Sequence, residues 1–507
     1  MRLLLVVLLF VSVRLTAQSP LPRSNSPEEE GVSSEAITQF LQAAAGSRHE
    51  FHSFMILRHG KVVAEGWWHP YKPALKHTMY SVSKSFTATA IGFAVAEKKL
   101  SVDDKVITYF KDDLPDTVSP NLAQLRISDL LTMSVGHQAD PSGVVGSSND
   151  WAKAFLKVPV MYEPGTKFVY NSAATYMLSA IVQKVTGQKI IDYLTPRLFD
   201  PLGISGIDWE VDPMGINVGG WGLRLKTEDM AKFGQLFLQK GKWRGKQILP
   251  ASWVEEATTK KIDQDPNATK ARKDSSDWLQ GYCYQMWRSR HNSYRGDGAY
   301  GQYILVLPEQ DAVIAITSET TDMQSQLNLI WKHLLPAFKP GKLPADARSL
   351  STLKATIASL RLPMPVAGIT STEGNISGKT FNISNGKGFT GASFTFDNGI
   401  CTFTMTTDTA THILNFDSGS WAMGETTKRG PYLGAAAKAN RVGLPPFKVA
   451  GSYGWKDART LELVLRYIES PHTEVIHCTI NDNQVTIDFK NLFNRAANRI
   501  KYQGVMN

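Results

Sequence analysis

The stretch Tyr80-Ser81-Val82-Ser83-Lys84-Ser85 is the point around which the rest of the chain is arranged. An extended approach precedes it. After it comes an apolar run over residues 86–96 whose spacing predicts a helix continuing to Leu100. Ser81 and Lys84 stand three apart, and helix positions i and i+3 share a face, so the Lys84 amine can reach the Ser81 hydroxyl. Serine attacks poorly until a base takes its proton, and a desolvated lysine can be neutral enough to do so. A serine at a helix N-terminus also meets free backbone N–H groups able to hold a developing oxyanion. By itself the motif is short, and a capping serine followed by a solvated lysine reads the same residues equally well.

Working outward, the 507 residues exceed one typical domain. Hydrophobic residues make up 42% and charged ones 20%, a globular rather than a disordered balance. The net charge of +9 is mild for this length, and no dense basic stripe marks a nucleic-acid partner. Arg2, the apolar run 3–13 and Ala17 form a secretory-signal pattern, with cleavage expected after residue 17. The run is too short for a stable membrane span, and no later stretch is long enough. A secreted or periplasmic protein is expected. The three cysteines, Cys283, Cys401 and Cys478, have no metal-ligand spacing. They are either free and buried, or Cys401 pairs with Cys478.

Residues 18–30 are polar and proline-containing, a loose leader. Helical spacing covers 34–45, and residues 54–66 form a hairpin around His59-Gly60. Further helices are expected over 127–133, 152–156, 173–186, 227–239 and 325–335, and strands over 282–287, 303–307 and 312–317. Strands at both ends of a helical middle suggest an α+β domain over 31–340, an antiparallel sheet flanked by helices. Prolines bracket a linker at 341–365 with one helical piece, and short alternating strands follow in an all-β domain over 366–507, sandwich or barrel.

Three further stretches could carry chemistry. Tyr170 follows the Pro164-Gly165 turn and precedes a helix. Beside a lysine ammonium its phenol would lose a proton more easily and act as a general base; a packed aromatic is the plainer reading. Gly296-Asp297-Gly298-Ala299-Tyr300-Gly301 is either a hairpin loop or a place where an exposed N–H completes an oxyanion hole. Gly219-Gly220-Trp221-Gly222 reads as a flexible loop, a plain turn or one whose indole stacks on substrate. Residues 374–380 mimic a phosphate loop but are one residue short, and the histidines, His137 among them, show no metal-binding pattern.

Taken in order, these pieces resemble the serine β-lactamase and penicillin-binding superfamily. They are most similar to its class C-like branch, which also holds esterases, D-aminopeptidases and 6-aminohexanoate-dimer hydrolases. The resemblance spans residues 55–335 and rests on 80–85, 129–137, 164–172, 222–231 and 298–308. It implies the β-lactamase/transpeptidase-like fold with a helical subdomain. It also implies Ser81 as nucleophile, Lys84 as partner in proton transfer and Tyr170 as the base that protonates the leaving group. The N–H groups of Ser81 and Ala299 would form the oxyanion hole, with Ser172, Trp221, Gly298 and Tyr300 touching substrate. No metal or cofactor is implied.

Two departures stand out. Ser172 occupies a position usually held by asparagine, and Gly296-Asp297-Gly298 lacks the basic first residue of the family's K/H-T/S-G triad. The second weakens the case for β-lactams and for peptides with a free C-terminus. The expectation is an exported serine hydrolase cleaving a small-molecule ester, amide or peptide through a Ser81 acyl-enzyme. A β-lactamase or penicillin-binding D-Ala-D-Ala peptidase is the alternative within the class. A non-catalytic binding or sensor protein on the same fold is the alternative outside it. Oligomeric state is not legible in the sequence. The β-rich tail, including Glu469-Ser470-Pro471-His472, could cover the cleft, bind a partner or stabilise the chain.

Overall fold

The computed structural model describes residues 20–366, 368, 371–386, 388–433, 446–493 and 499–506. The signal pattern at 1–17 lies outside the described residues. A six-stranded antiparallel sheet organises the first domain. Its strands are β1 (Glu50–Arg58), β2 (Lys61–Trp67), β3 (Trp287–Ser289), β4 (Ser293–Gly298), β5 (Gln302–Leu307) and β6 (Ala312–Glu319), in the order β2-β1-β6-β5-β4-β3. Early and late segments of the chain therefore meet at β1–β6, where Phe54 pairs with Ile316 and Leu57 with Val313.

Alternation along β1 separates two cores. Met55 and Leu57 enter the cluster that contains α2 (Ser83–Ala96), α3 (Ser172–Thr186) and α4 (Thr227–Leu238), while Phe54 and Ile56 face α1 (Ser34–Ala45). α2 is the central helix: Ser83 to Ala94 are all buried, because apolar and small residues occur on every face. It ends at Ala96, short of the expected Leu100, because Lys98 adopts a left-handed φ of 56° and the chain turns away.

Three other expectations change. The strand expected over 282–287 is not continuous: Gln285 has φ 59°, and its side-chain amide donates to the carbonyls of Leu130 and Leu131. The glycine stretch read as a loop is one only over residues 299–301, the β4–β5 hairpin turn; Gly296-Asp297-Gly298 is the buried end of strand β4, paired with β5. Residues 20–30 are docked rather than loose: Ser24 N–H donates to Val62 O, Glu28 accepts from Ser34 N–H, and Leu21 is buried.

The helix Ala347–Ala358 packs on α1 through buried Leu353. Beyond it, ten strands form one sheet running in order from Thr411–Asp417 to Ala422–Thr426. A parallel bridge between Asp417 and Ser452 closes it into a barrel around an apolar interior. Cys401 and Cys478 are free thiols in that interior, and Cys283 is a free, buried thiol of the first domain. Among the described residues, no helix is long and apolar enough to cross a membrane.

Candidate active site

The short strand His77–Thr78 leads into the helical turn Tyr80–Val82, which runs directly into α2. Ser81 sits in that first turn, half-buried, where backbone N–H groups have no intrahelical acceptor. The turn is reached through Tyr80 in a left-handed conformation, φ 45°, which is uncommon for a residue with a Cβ.

Lys84 lies on the next turn and is 1% exposed. Its Nζ donates to Ser172 Oγ at 2.9 Å and to Gly220 O at 2.8 Å. Burial lowers its pKa to about 7, against an opposing attraction from Asp140. A neutral amine has two N–H donors and one lone pair, so those two bonds leave the lone pair uncommitted. Among the described residues Lys84 makes no hydrogen bond to Ser81. The Ser81 hydroxyl lies close enough to the Tyr170 phenol to favour its ionised form. Lys84 and Tyr170 therefore stand around Ser81, with the Lys84 amine bonded to Ser172 and Gly220 rather than to the serine.

Tyr170 is held by its ring, which stacks on Trp287 at 5.5 Å between centroids and meets Tyr282 edge-on at 6.4 Å. Lys84 Nζ lies 5.1 Å from the same ring. Asn171 then caps α3, accepting from Ala174 N–H at 3.0 Å. The expected acidic phenol is corrected here. Burial raises the Tyr170 pKa above its ordinary value, and the nearby Ser81 hydroxyl offsets this only in part. A lysine itself displaced toward neutrality supplies little positive charge to lower it.

The glycine-rich edge approaches from the opposite side. A Cβ on Gly298 would lie 2.3 Å from Met79 O, so only glycine lets β4 come this close to the Ser81 turn. Ala299 follows at the end of β4, half-buried, and its N–H is committed to no hydrogen bond among the described residues. Tyr300 is half-buried at φ 66°, its ring against Tyr80 at 5.7 Å and His472 at 5.1 Å.

The loop expected to be flexible around Trp221 is packed. Gly219 O accepts from Thr87 Oγ1, and Gly220 O accepts from Lys84. The Trp221 ring lies against Trp151 at 5.9 Å, so the loop meets the site through its backbone. Ser172 is half-buried beside Lys84, and its N–H donates to Asp140 Oδ2 at 3.1 Å. Asp140 was not singled out in the sequence; the Asp140-Pro141 turn was the available signal. His137 is buried, bonded to Asn171 and lowered to about pKa 4 by burial, so it is neutral at physiological pH.

Comparison with known proteins gives the family. The sequence model of the Beta-lactamase family matches residues 38–335. A 6-aminohexanoate-dimer hydrolase of Paenarthrobacter ureafaciens is 25% identical over 292 residues, covering 53% of this chain and 73% of the relative. A protein provisionally named D-alanyl-D-alanine carboxypeptidase in Escherichia coli K12 is 28% identical over 235 residues, covering 40% of this chain. The chain spans about half the length of that relative, 54%. In fold it is similar to a provisionally named 6-aminohexanoate-dimer hydrolase from Bacillus anthracis, with TM-score 0.54, 20% identity, and coverage of 65% of this chain and 90% of the other. The family match covers the whole sheet and every residue of the Ser81 cluster, and the chain is a serine hydrolase belonging to the Beta-lactamase family.

Proposed function

We propose that the protein cleaves an ester or amide bond through an acyl-enzyme on Ser81. The observation that carries this reading is a buried Lys84, lowered to about pKa 7, one helical turn after Ser81 and with its Nζ 5.1 Å from the Tyr170 ring. Ser81 Oγ attacks the carbonyl carbon, and its proton passes to the neighbouring Tyr170 oxygen. The phenolic proton is taken up in turn by the neutral Lys84 amine. The Ser81 and Ala299 N–H groups hold the oxyanion. Return of the proton to the leaving group collapses the tetrahedral intermediate, and water then releases the acyl group. The N–H at Ala299 and the helix-start N–H at Ser81 both belong to backbone fixed by close packing, which suits preorganised stabilisation.

The substrate in this reading carries no free carboxylate next to the scissile bond. Arg295, the cation beside the glycine triad, is fully buried and paired with Asp297. The similarities to a 6-aminohexanoate-dimer hydrolase and to a carboxypeptidase support amide cleavage as the chemical class. Export is proposed from the apolar run at 3–13. Finding the intact N-terminus on protein recovered from the cytoplasm alone would overturn it.

The deciding experiment is Ser81→Ala with a p-nitrophenyl ester. Turnover is expected to disappear while the circular dichroism spectrum is unchanged; retained turnover overturns the reading. A covalent mass increase with a labelled penicillin would instead place β-lactams among the acyl donors.

A further inference from the structure

The hairpin loop between the barrel strands Thr460–Tyr467 and Thr473–Asn481 reaches across to the first domain and lands beside the nucleophile. Glu469 O accepts from both the N–H and the hydroxyl of Thr78, at 3.0 and 3.1 Å. Ser470 O accepts from Tyr71 OH at 3.0 Å, and Arg224 donates to the Glu469 carboxylate at 3.1 Å. Next in the loop, His472 is 1% exposed and bonded on both ring nitrogens. Its Nδ1 lies 2.6 Å from Glu319 Oε1 at the end of β6, and its Nε2 lies 2.5 Å from the hydroxyl of Tyr80. Burial raises the Glu319 carboxyl above its ordinary pKa, and in either tautomer both ring nitrogens are engaged, one by Glu319 and one by the phenol.

Tyr80 immediately precedes Ser81 and holds a left-handed φ. Such a conformation persists in a residue with a Cβ only where its surroundings fix it. Around Tyr80 those surroundings are the His472 bond and the rings of Tyr300, Tyr432 and His472, with centroids at 5.7, 5.4 and 5.7 Å. Two of these three rings come from the barrel. We propose that His472 is a positioning residue for Ser81: anchored on Glu319, it holds the Tyr80 hydroxyl and thereby sets the backbone turn that aims the nucleophile. The barrel is then part of the catalytic apparatus and not an appended module. This rests on the reading of Ser81 as nucleophile.

The full-length chain is assayed as Tyr80→Phe, His472→Leu, His472→Gln and the double variant Tyr80→Phe/His472→Leu. Ester turnover is normalised to sites titrated with a fluorophosphonate, so that a misfolded fraction does not count as a slow enzyme. Tyr80→Phe and His472→Leu are each expected to lower kcat per titrated site by about tenfold or more, with KM within about twofold. His472→Gln keeps an amide near the Nε2 position and is expected to recover part of the loss. The double variant is expected to lose less than the product of the two single losses, because the Tyr80–His472 bond is removed in both. If His472→Leu does not fold, Tyr80→Phe and His472→Gln decide. Unchanged kcat in Tyr80→Phe, or losses that multiply in the double variant, overturn the proposal. Wild-type protein that the fluorophosphonate does not label on Ser81 overturns the nucleophile reading and this inference with it. Labelled wild type with unaffected variants overturns this inference alone.

Discussion

Arg295 Nε donates to Asp297 Oδ2 at 2.7 Å within strand β4, with both side chains buried. The guanidinium also lies 4.5 Å from the ring centroid of Trp278 and donates to Asp277 O at 2.9 Å. Residues two apart on a strand share a face, so the pair lies along one side of β4, while Gly296 faces Ser85 on the other. Arg295, the cation that borders the Gly296-Asp297-Gly298 stretch, is thus internally neutralised.

That pair is expected to be a stability element with one-sided sensitivity. Removing one partner leaves an uncompensated buried charge, so Arg295→Met should lower stability by about 3–5 kcal/mol in a denaturant titration. Replacing both, as Arg295→Met/Asp297→Leu, should recover most of that loss. A double variant as unstable as the two single losses combined would contradict a pairwise origin.

Gly298→Ala tests the close approach of β4 to the Ser81 turn. The added Cβ would meet Met79 O at 2.3 Å, and backbone must move. A loss of about 1–3 kcal/mol is expected. Displacing Ala299 relative to Ser81 should cost about 10²-fold in ester turnover. Gly143→Ala, with nothing within 4 Å of the new methyl, is the control and should change stability by no more than about 0.5 kcal/mol.

Lys84 sets a pH dependence whose sign follows from its lowered pKa. With the amine titrating near 7 in the folded enzyme, acylation should rise with pH through about 7 and then level off. Lys84→Met should be slow and lack this limb. In stability the unfolded chain binds the extra proton between about pH 7 and 10.5. The Lys84 contribution therefore grows more favourable as pH rises through that window and is constant below it. A stability curve for wild type minus Lys84→Met that falls across this window would contradict the assignment.

Tyr170→Phe removes the hydroxyl near Ser81 and keeps the ring on Trp287. Ester turnover should fall by about 10²–10⁴-fold. Stability should change by no more than about 1.5 kcal/mol, the range of one hydrogen bond. Turnover within twofold of wild type would remove Tyr170 from the proton path.

Much of the first domain was legible because its signals are local. The 3.6-residue spacing of Ile37, Phe40, Leu41 and Ala44 matches α1, and His59-Gly60 marks the β1–β2 turn. The α3 boundary follows from Asn171 as cap and Gly187 in the left-handed region. β4 was harder to read. Glycines at 296 and 298 resemble a turn, and nothing near them in sequence shows that Ser85 and Met79 fill the space a side chain would need. Gln285 broke an expected strand for a similar reason, since its amide answers carbonyls of Leu130 and Leu131, over 150 residues earlier.

By itself the sequence determined the helix start at Ser81, the lysine one turn on, the tyrosine before α3, and the order of these pieces along the chain. Those follow from periodicity, capping and motif spacing, which are properties of neighbours. Only the tertiary structure decided which groups touch. Lys84 bonds Ser172 and Gly220, 88 and 136 residues away, and Tyr80 bonds His472, 392 residues away. Such contacts depend on how sheet, helices and barrel pack. The same packing removes water from Lys84 and lowers its pKa, so the chemical state of the motif is a property of the fold and not of the four residues that spell it.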